Sequence, residues 1–208
     1  MAVPLLIDVI LFDFGGVLTD PTRVLAEWRD YERRLGLAEG AISRLLGAGP
    51  AWEAVSTGRI SEEAYWAQTG ATVAGRLPAA FARFQYGTLP YEELNPAAVA
   101  IAARLRGQVR LGLLSNATIS LRPLLERLPG LLALFDDVVI SAEVGLRKPD
   151  AAIYALAARR LGVALGRALL LDDKERNTLA ARAAGMAAIT ATSPGQWQAA
   201  LRELGLEA

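Results

Sequence analysis

The sequence predicts an α/β fold in which helices cover a parallel β-sheet. Four short apolar runs lack the alternation of a strand that faces water on one side, as is typical of buried parallel strands. Segments with helical spacing separate these runs, which is the order expected for strand–helix–strand units. With 53% hydrophobic and 21% charged residues, the chain can bury the core that such a sheet needs.

The predicted elements follow in chain order. The apolar runs predict strands over residues 9–12, 109–114, 138–140 and 168–171. Helical spacing predicts helices over residues 95–105, 120–128, 151–161 and 177–184, of which the last two are rich in alanine. A fifth strand over residues 186–190 and a closing helix over residues 196–204 complete the predicted sheet region.

Residues 21–91 have a helical pattern with no convincing strand, which predicts a helical insert after the first strand. Breaks in the pattern fall at Gly36, residues 47–50, Gly58 and Gly75. The insert contains many of the aromatic residues: Trp28, Tyr31, Trp52, Tyr65, Trp66, Phe81, Phe84 and Tyr86. These aromatics fill the core of a small bundle, line a substrate cavity or form an interface between copies of the chain.

The composition excludes several classes of function. Without histidine or cysteine the chain has no Ser-His or Cys-His catalytic pair and no disulfide, so carboxylates, lysines and hydroxyls must do any chemistry. Twenty-two basic residues balance 22 acidic ones, and we expect no nucleic-acid partner. The first residues lack the features of a signal peptide and no apolar run is long enough to span a membrane. We therefore expect a cytoplasmic protein with no membrane partner.

Polar residues follow each of the four main strands. Because ligands of open α/β sheets bind beyond the carboxyl ends of the strands, these residues are candidates for a shared site. They are Asp13 with Gly15 and Gly16, Ser115 with Asn116, Lys148 after the third strand, and Asp172 and Asp173 with Asn177 following. Together they indicate a site for phosphate and a metal ion.

Two carboxylates from different strands need a cation between them. Asp13 and Asp173 would otherwise repel each other, and Mg²⁺ prefers oxygen ligands of this kind. Taken one at a time, each motif also has a structural interpretation. Asp13 could satisfy backbone donors at a strand end, Ser115 and Asn116 could cap a helix, and Lys148 could be a solvated charge.

In this order, the motifs DFGGVL, LLSNA, SAEVGLRKPDAAIY and LLLDDKERNTLAARAAGM resemble the haloacid dehalogenase superfamily. The similarity is greatest to the phosphatase branch that includes the amino-terminal domain of soluble epoxide hydrolase and bacterial sugar-phosphate phosphatases. It covers most of residues 5–20 and 95–190, whereas residues 21–91 match only in place and helical character. The resemblance implies a Rossmann-like core of residues 1–20 and 92–208, with a helical cap of residues 21–91.

The resemblance also implies a role for each motif residue. Asp13 would be the nucleophile, Ser115 would hold the phosphoryl oxygens, and Lys148 would neutralise charge. Mg²⁺ would bind Asp13, Asp173 and the backbone carbonyl of Gly15. The remaining residues are Asp172 and Asn177, which would support the metal site, and Asn116, which with Ser115 and Gly15 would face a small phosphorylated metabolite.

Gly15 departs from the pattern of the phosphatases, most of which carry a general-acid aspartate at this position. Without that acid we expect acyl, aryl or sugar 1-phosphates to be preferred over alkyl esters, because their leaving groups need less protonation. An Asp, Glu or Tyr of the insert, or a water molecule, could supply the proton instead. Two alternatives remain: a 2-haloacid dehalogenase, whose halide leaves unprotonated, and a non-catalytic binding protein that retains the fold.

Overall fold

The computed structural model describes residues 6–72 and 93–207, and in these ranges the predicted parallel sheet is confirmed. Five strands pair in the order β5-β4-β1-β6-β7, and every pairing is parallel. They are β1 (Val9–Phe12), β4 (Arg110–Ser115), β5 (Asp137–Ile140), β6 (Ala168–Asp172) and β7 (Ala187–Thr190). Each strand begins within one residue of its predicted start, because the apolar run that predicts the strand is also the segment that pairs in the sheet.

A second, antiparallel pair of very short strands was not predicted. It consists of β2 (Thr19–Asp20) and β3 (Glu93–Leu94), and it joins the two segments of chain that flank the insert. Two residues are too few to show a strand periodicity, so the sequence carries no signal for this pair.

Helices pack on both faces of the sheet, as the fold class requires. On one face, Ile10 and Phe12 belong to an apolar cluster with residues of the helices over Pro96–Leu105 and Pro194–Glu203. On the other face, Val9 and Leu11 belong to a cluster with residues of the helices over Ala151–Arg160 and Glu175–Ala183. The helices after the insert are α5 (Pro96–Leu105), α6 (Leu121–Glu126), α7 (Pro129–Leu132), α8 (Ser141–Val144), α9 (Ala151–Arg160), α10 (Glu175–Ala183) and α11 (Pro194–Glu203). None of the described helices is both long and apolar enough to cross a membrane.

One predicted helix differs from the structure. The helix predicted over residues 120–128 is confirmed with shorter bounds, because α6 ends at Glu126 and a separate short helix, α7, starts at Pro129, just beyond the predicted end. Proline lacks the N–H that would continue a helix and disfavours a helical conformation in the residue before it, here Leu128.

The described part of the insert is helical. It contains α1 (Thr22–Leu35), α2 (Ala41–Gly47), α3 (Gly49–Val55) and α4 (Glu62–Thr72). Its described aromatic side chains pack together, as the interpretation of a small bundle core predicts. Tyr65 is buried, and its ring centroid lies edge-on at 6.1 Å from that of Trp52 and 5.0 Å from that of Trp66. Trp28 and Tyr31 pack against buried residues of α2. Gly75, Phe81, Phe84 and Tyr86 lie outside the described residues.

Candidate active site

The strand order brings the predicted site residues to one edge of the sheet. Since β1 pairs with β4 on one side and β6 on the other, the residues that follow these strands are neighbours. Asp13 lies directly after β1, and its backbone N–H donates to the Leu171 carbonyl in β6 at 2.9 Å. Ser115 ends β4 and Asp172 ends β6, and both are buried.

Lys148 bridges two of the carboxylates. Its ammonium nitrogen lies 3.0 Å from Asp13 Oδ1 and 2.6 Å from Asp172 Oδ2, and it donates to the Leu114 carbonyl at 2.8 Å. The Lys148 side chain is fully buried. The interpretation of Lys148 as a solvated charge is therefore wrong, because a buried ammonium has to be paired with acceptors.

Asp172 is held in place by several donors. Its Oδ1 accepts hydrogen bonds from the Lys174 backbone N–H at 2.8 Å and from Asn177 Nδ2 at 2.9 Å. Its Oδ2 accepts from Lys148 and, at 3.0 Å, from Asn177. Both oxygens accept two hydrogen bonds each, and one of these comes from the Lys148 ammonium, so the Asp172 carboxylate helps to orient Lys148.

Asp173 has an oxygen left for a cation. Asp173 Oδ2 pairs with the Lys174 ammonium at 2.6 Å, while the buried Oδ1 has no hydrogen-bond partner among the described residues. Oxygens of Asp13, Asp172 and Asp173 lie within 4.8 Å of one another. A buried carboxylate oxygen without a donor is costly, and a hard divalent cation shared with Asp13 would satisfy it. The donor set therefore fits Mg²⁺.

The turn after β1 allows this approach. Gly16 has a φ of +74°, a conformation that favours glycine, and a Cβ at this position would lie 2.7 Å from Asp173 Oδ2. Gly15 precedes it and carries no side chain that could act as an acid. Asp13 Oδ1 also accepts from the Phe14 backbone N–H at 2.7 Å, so the interpretation of Asp13 as a partner for backbone donors holds alongside its contact with Lys148.

Burial and neighbouring charges change the pKa values of this group. Burial raises the pKa of Asp13, Lys148 lowers it and the Asp172 and Asp173 carboxylates raise it, so that the pKa is about 7. For the Lys148 ammonium, burial lowers the pKa, but Asp13 and Asp172 outweigh burial and the pKa rises above its ordinary value. Lys148 therefore stays positively charged at neutral pH.

Asn116 fixes the loop that carries Lys148. Its side-chain amide donates to the Lys148 carbonyl at 2.8 Å, and its Oδ1 accepts from the Lys148 N–H at 2.8 Å. The side-chain amide of Asn116 is thus engaged by the Lys148 backbone. The helix-cap interpretation of Ser115 and Asn116 is wrong, since the next helix begins only at Leu121.

A family model described as haloacid dehalogenase-like hydrolase matches residues 7–185, which is most of the chain. The chain belongs to this family. The haloacid dehalogenase-like fold is also found in a predicted hydrolase of this kind from Porphyromonas gingivalis, with a TM-score of 0.73, 23% identity, and coverage of 96% of this chain and 98% of that one.

Two further proteins are similar to the chain. A haloacid dehalogenase family enzyme from Bacteroides thetaiotaomicron, solved in complex with magnesium and inorganic phosphate, has a TM-score of 0.66 and 16% identity over 88% of this chain and 93% of that one. A glyceraldehyde 3-phosphate phosphatase from Methanothermobacter thermautotrophicus is 42% identical over 86 residues. That match spans 40% of this chain and 38% of the relative.

Proposed function

We propose that this haloacid dehalogenase-like hydrolase removes phosphate from a small phosphorylated metabolite through an aspartyl-phosphate on Asp13. The observation that carries the proposal is the buried ammonium of Lys148, 3.0 Å from Asp13 Oδ1 and 2.6 Å from Asp172. A carboxylate that approaches an anionic phosphate needs nearby positive charge, and Lys148 supplies it without exposure to solvent.

In the proposed reaction, an oxygen of Asp13 attacks phosphorus and the bond from phosphorus to the leaving oxygen breaks. Water then attacks the aspartyl-phosphate, which restores the Asp13 carboxylate and releases inorganic phosphate. Ser115 and the backbone at Asn116 would hold the phosphoryl oxygens, because they lie at the carboxyl end of β4, the strand next to β1. Asp172 and Asn177 keep Lys148 aimed at Asp13 in both steps.

Asp13, Asp173 and the Gly15 backbone carbonyl are the proposed ligands of Mg²⁺. When bound, the ion would supply positive charge to the transferring phosphoryl group. The Asp173 Oδ1 without a hydrogen-bond partner in the described ranges supports this assignment. The magnesium and phosphate complex of the Bacteroides enzyme and the name of the Methanothermobacter relative favour a phosphorylated substrate.

Gly15 leads us to propose a preference for activated leaving groups. No side chain at this position can protonate the leaving oxygen, so acyl, aryl and sugar 1-phosphates should react faster than alkyl phosphates.

We also propose that residues 21–91 form a cap domain over a core of residues 1–20 and 92–208, and that the enzyme acts in the cytoplasm.

Phosphate release from purified protein tests the proposed function. Acetyl phosphate, p-nitrophenyl phosphate, glucose 1-phosphate and glycerol 3-phosphate would be compared with Mg²⁺ and with a chelator. We expect release that depends on Mg²⁺ and is slowest for glycerol 3-phosphate. No release from any of the four with Mg²⁺ would contradict the proposal, and chloride release from 2-chloropropionate in chelator would favour a dehalogenase.

A further inference from the structure

Three arginines lie near the junction of the insert and the sheet region, outside the residues assigned to phosphoryl transfer. Arg147 directly precedes Lys148, Arg59 follows α3 in the insert, and Arg176 is in the first turn of α10, just after Asp173. The charges of Arg59 and Arg176 both act on Arg147.

The guanidinium group of Arg147 has donors without good hydrogen-bond acceptors among the described residues. Its side chain is 17% exposed, and its Nη1 is 3.6 Å from Glu53 Oε1 of the insert, longer than a good hydrogen bond. Its Nε is buried and donates to no acceptor in the described part of the chain. A guanidinium stays charged, so a buried donor of this kind favours the arrival of an acceptor.

Positive charge is in excess around Arg147. Burial lowers the pKa of Arg147, Glu53 opposes this effect, and Arg176 and Arg59 lower the pKa further. Among the described charged groups that act on Arg147, Glu53 is the one carboxylate and Arg59 and Arg176 are the two guanidinium groups, and the Glu53 side chain is 58% exposed. An added anion would relieve the repulsion among the arginines.

Contacts between the insert and the sheet region lie close in the chain to Arg59 and to the loop of Arg147. Gly58, next to Arg59, has a φ of +68°, and a Cβ there would lie 2.5 Å from the Ala142 carbonyl oxygen in α8. The Ser120 hydroxyl also donates to the Glu62 carboxylate of α4. On the sheet side, Arg147 is the chain neighbour of Lys148, whose ammonium contacts Asp13.

We propose that Arg147, with Arg59 and Arg176, binds a carboxylate on the leaving part of the substrate. The inference rests on the proposed function, because it concerns the substrate of the same site. A carboxylate matches the guanidinium fork with two parallel hydrogen bonds, including one to the unsatisfied Nε. The substrate class is then a phosphomonoester whose leaving group carries a carboxylate.

Matched aryl phosphates test this proposal, since their leaving groups suit an enzyme with glycine at position 15. The probes are 3- and 4-carboxyphenyl phosphate and the corresponding uncharged carbamoylphenyl phosphates, all with Mg²⁺. The native protein would be compared with Arg147→Met and with the control Arg104→Met, which changes an exposed arginine near the end of α5. The measurements are kcat and KM for each probe, with a thermal melt for each variant.

We expect the native protein to have a lower KM for at least one carboxyphenyl probe than for its carbamoyl partner. Arg147→Met should raise that KM by roughly tenfold to a hundredfold, as for loss of a hydrogen bond between charged groups, and change the KM of the carbamoyl probe by less than about twofold. Arg104→Met should change neither value.

Equal KM values for both kinds of probe, or an equal effect of Arg147→Met on both, would overturn the carboxylate subsite and leave the phosphatase proposal intact. Absence of phosphate release from all of these probes and from p-nitrophenyl phosphate would instead reject the phosphatase proposal, and the subsite with it.

Discussion

Lys148 is the buried cation that allows Asp13 and Asp172 to lie close together. Replacement by methionine keeps the unbranched chain as far as Cε but leaves two carboxylates buried without their counter-ion. We expect Lys148→Met to lower the free energy of unfolding by about 3–5 kcal/mol at neutral pH, as is typical when one partner of a buried ion pair is removed. Urea unfolding followed by circular dichroism measures this loss.

A double variant separates charge from packing at this position. In Lys148→Met/Asp172→Asn the second carboxylate becomes a neutral amide, so much of the lost stability should return while turnover stays absent. If the single variant proved as stable as the native protein, the assignment of Lys148 as the essential counter-ion would be incorrect.

Gly15 stands at the position for which the resemblance to the phosphatases implies a general-acid aspartate. Its φ of −69° and ψ of 127° are accessible to any residue, so an aspartate fits the backbone here. Gly15→Asp should raise kcat/KM for glycerol 3-phosphate by about a hundredfold or more through general acid catalysis, and have little effect on acetyl phosphate. A parallel rise for both substrates would indicate a cause other than protonation of the leaving group.

The residues of the candidate site were predictable to different degrees. Asp13, Ser115 and Asp172 lie at the carboxyl ends of parallel strands, so the rule for parallel sheets predicts that they meet. The engagement of the Asn116 amide with the Lys148 backbone depends on how two loops pack, which no local pattern encodes. The contact of Gly16 with Asp173 is likewise set by the approach of β6, far away in the sequence.

At the scale of elements, the sequence predicts long or buried segments well and short ones poorly. The apolar run of β1 predicted both ends of the strand correctly, because all four of its residues are buried in the sheet. The strands β2 and β3 and the helix α8 have only two to four residues each, too few for a periodicity. Their positions are set by contacts with the rest of the molecule.

The start of α5 depends on a single cap. The Asn95 side chain accepts hydrogen bonds from the backbone N–H groups of Ala97 and Ala98 at 3.1 and 3.3 Å, and Pro96 follows it. Asn95→Ala should lower the free energy of unfolding by about 1 kcal/mol without changing kcat, and Asn95→Asp should retain most of the stability. A thermal melt of the three proteins, with an activity assay, checks both expectations.

At the scale of the whole molecule, we expect Mg²⁺ and a proton to compete for the Asp13 carboxylate. Asp13 has a raised pKa of about 7 against an ordinary value of 3.8, so the metal-free fold retains a proton that the unfolded chain has lost. The stability of the metal-free protein should therefore decrease as the pH rises from about 4 to about 7.

Mg²⁺ should reverse this trend. Its affinity should increase as the pH rises through about 7 and the Asp13 carboxylate becomes free of its proton. Calorimetric titration with Mg²⁺ at pH 6 and pH 8 measures the difference, and Asp13→Asn is the control that should remove it. Equal affinities at the two pH values in the native protein would exclude proton competition at Asp13.

The central claim is that Asp13 takes the phosphoryl group from the substrate, and trapping that group tests it most directly. Native protein and Asp13→Asn would be mixed with acetyl phosphate and Mg²⁺, quenched in acid and digested for peptide mass spectrometry. We predict one added phosphoryl group on the native peptide that contains Asp13, lost in chelator and in the variant, together with loss of turnover in Asp13→Asn. Continued turnover by Asp13→Asn, with no phosphorylated peptide in the native protein, would contradict the account.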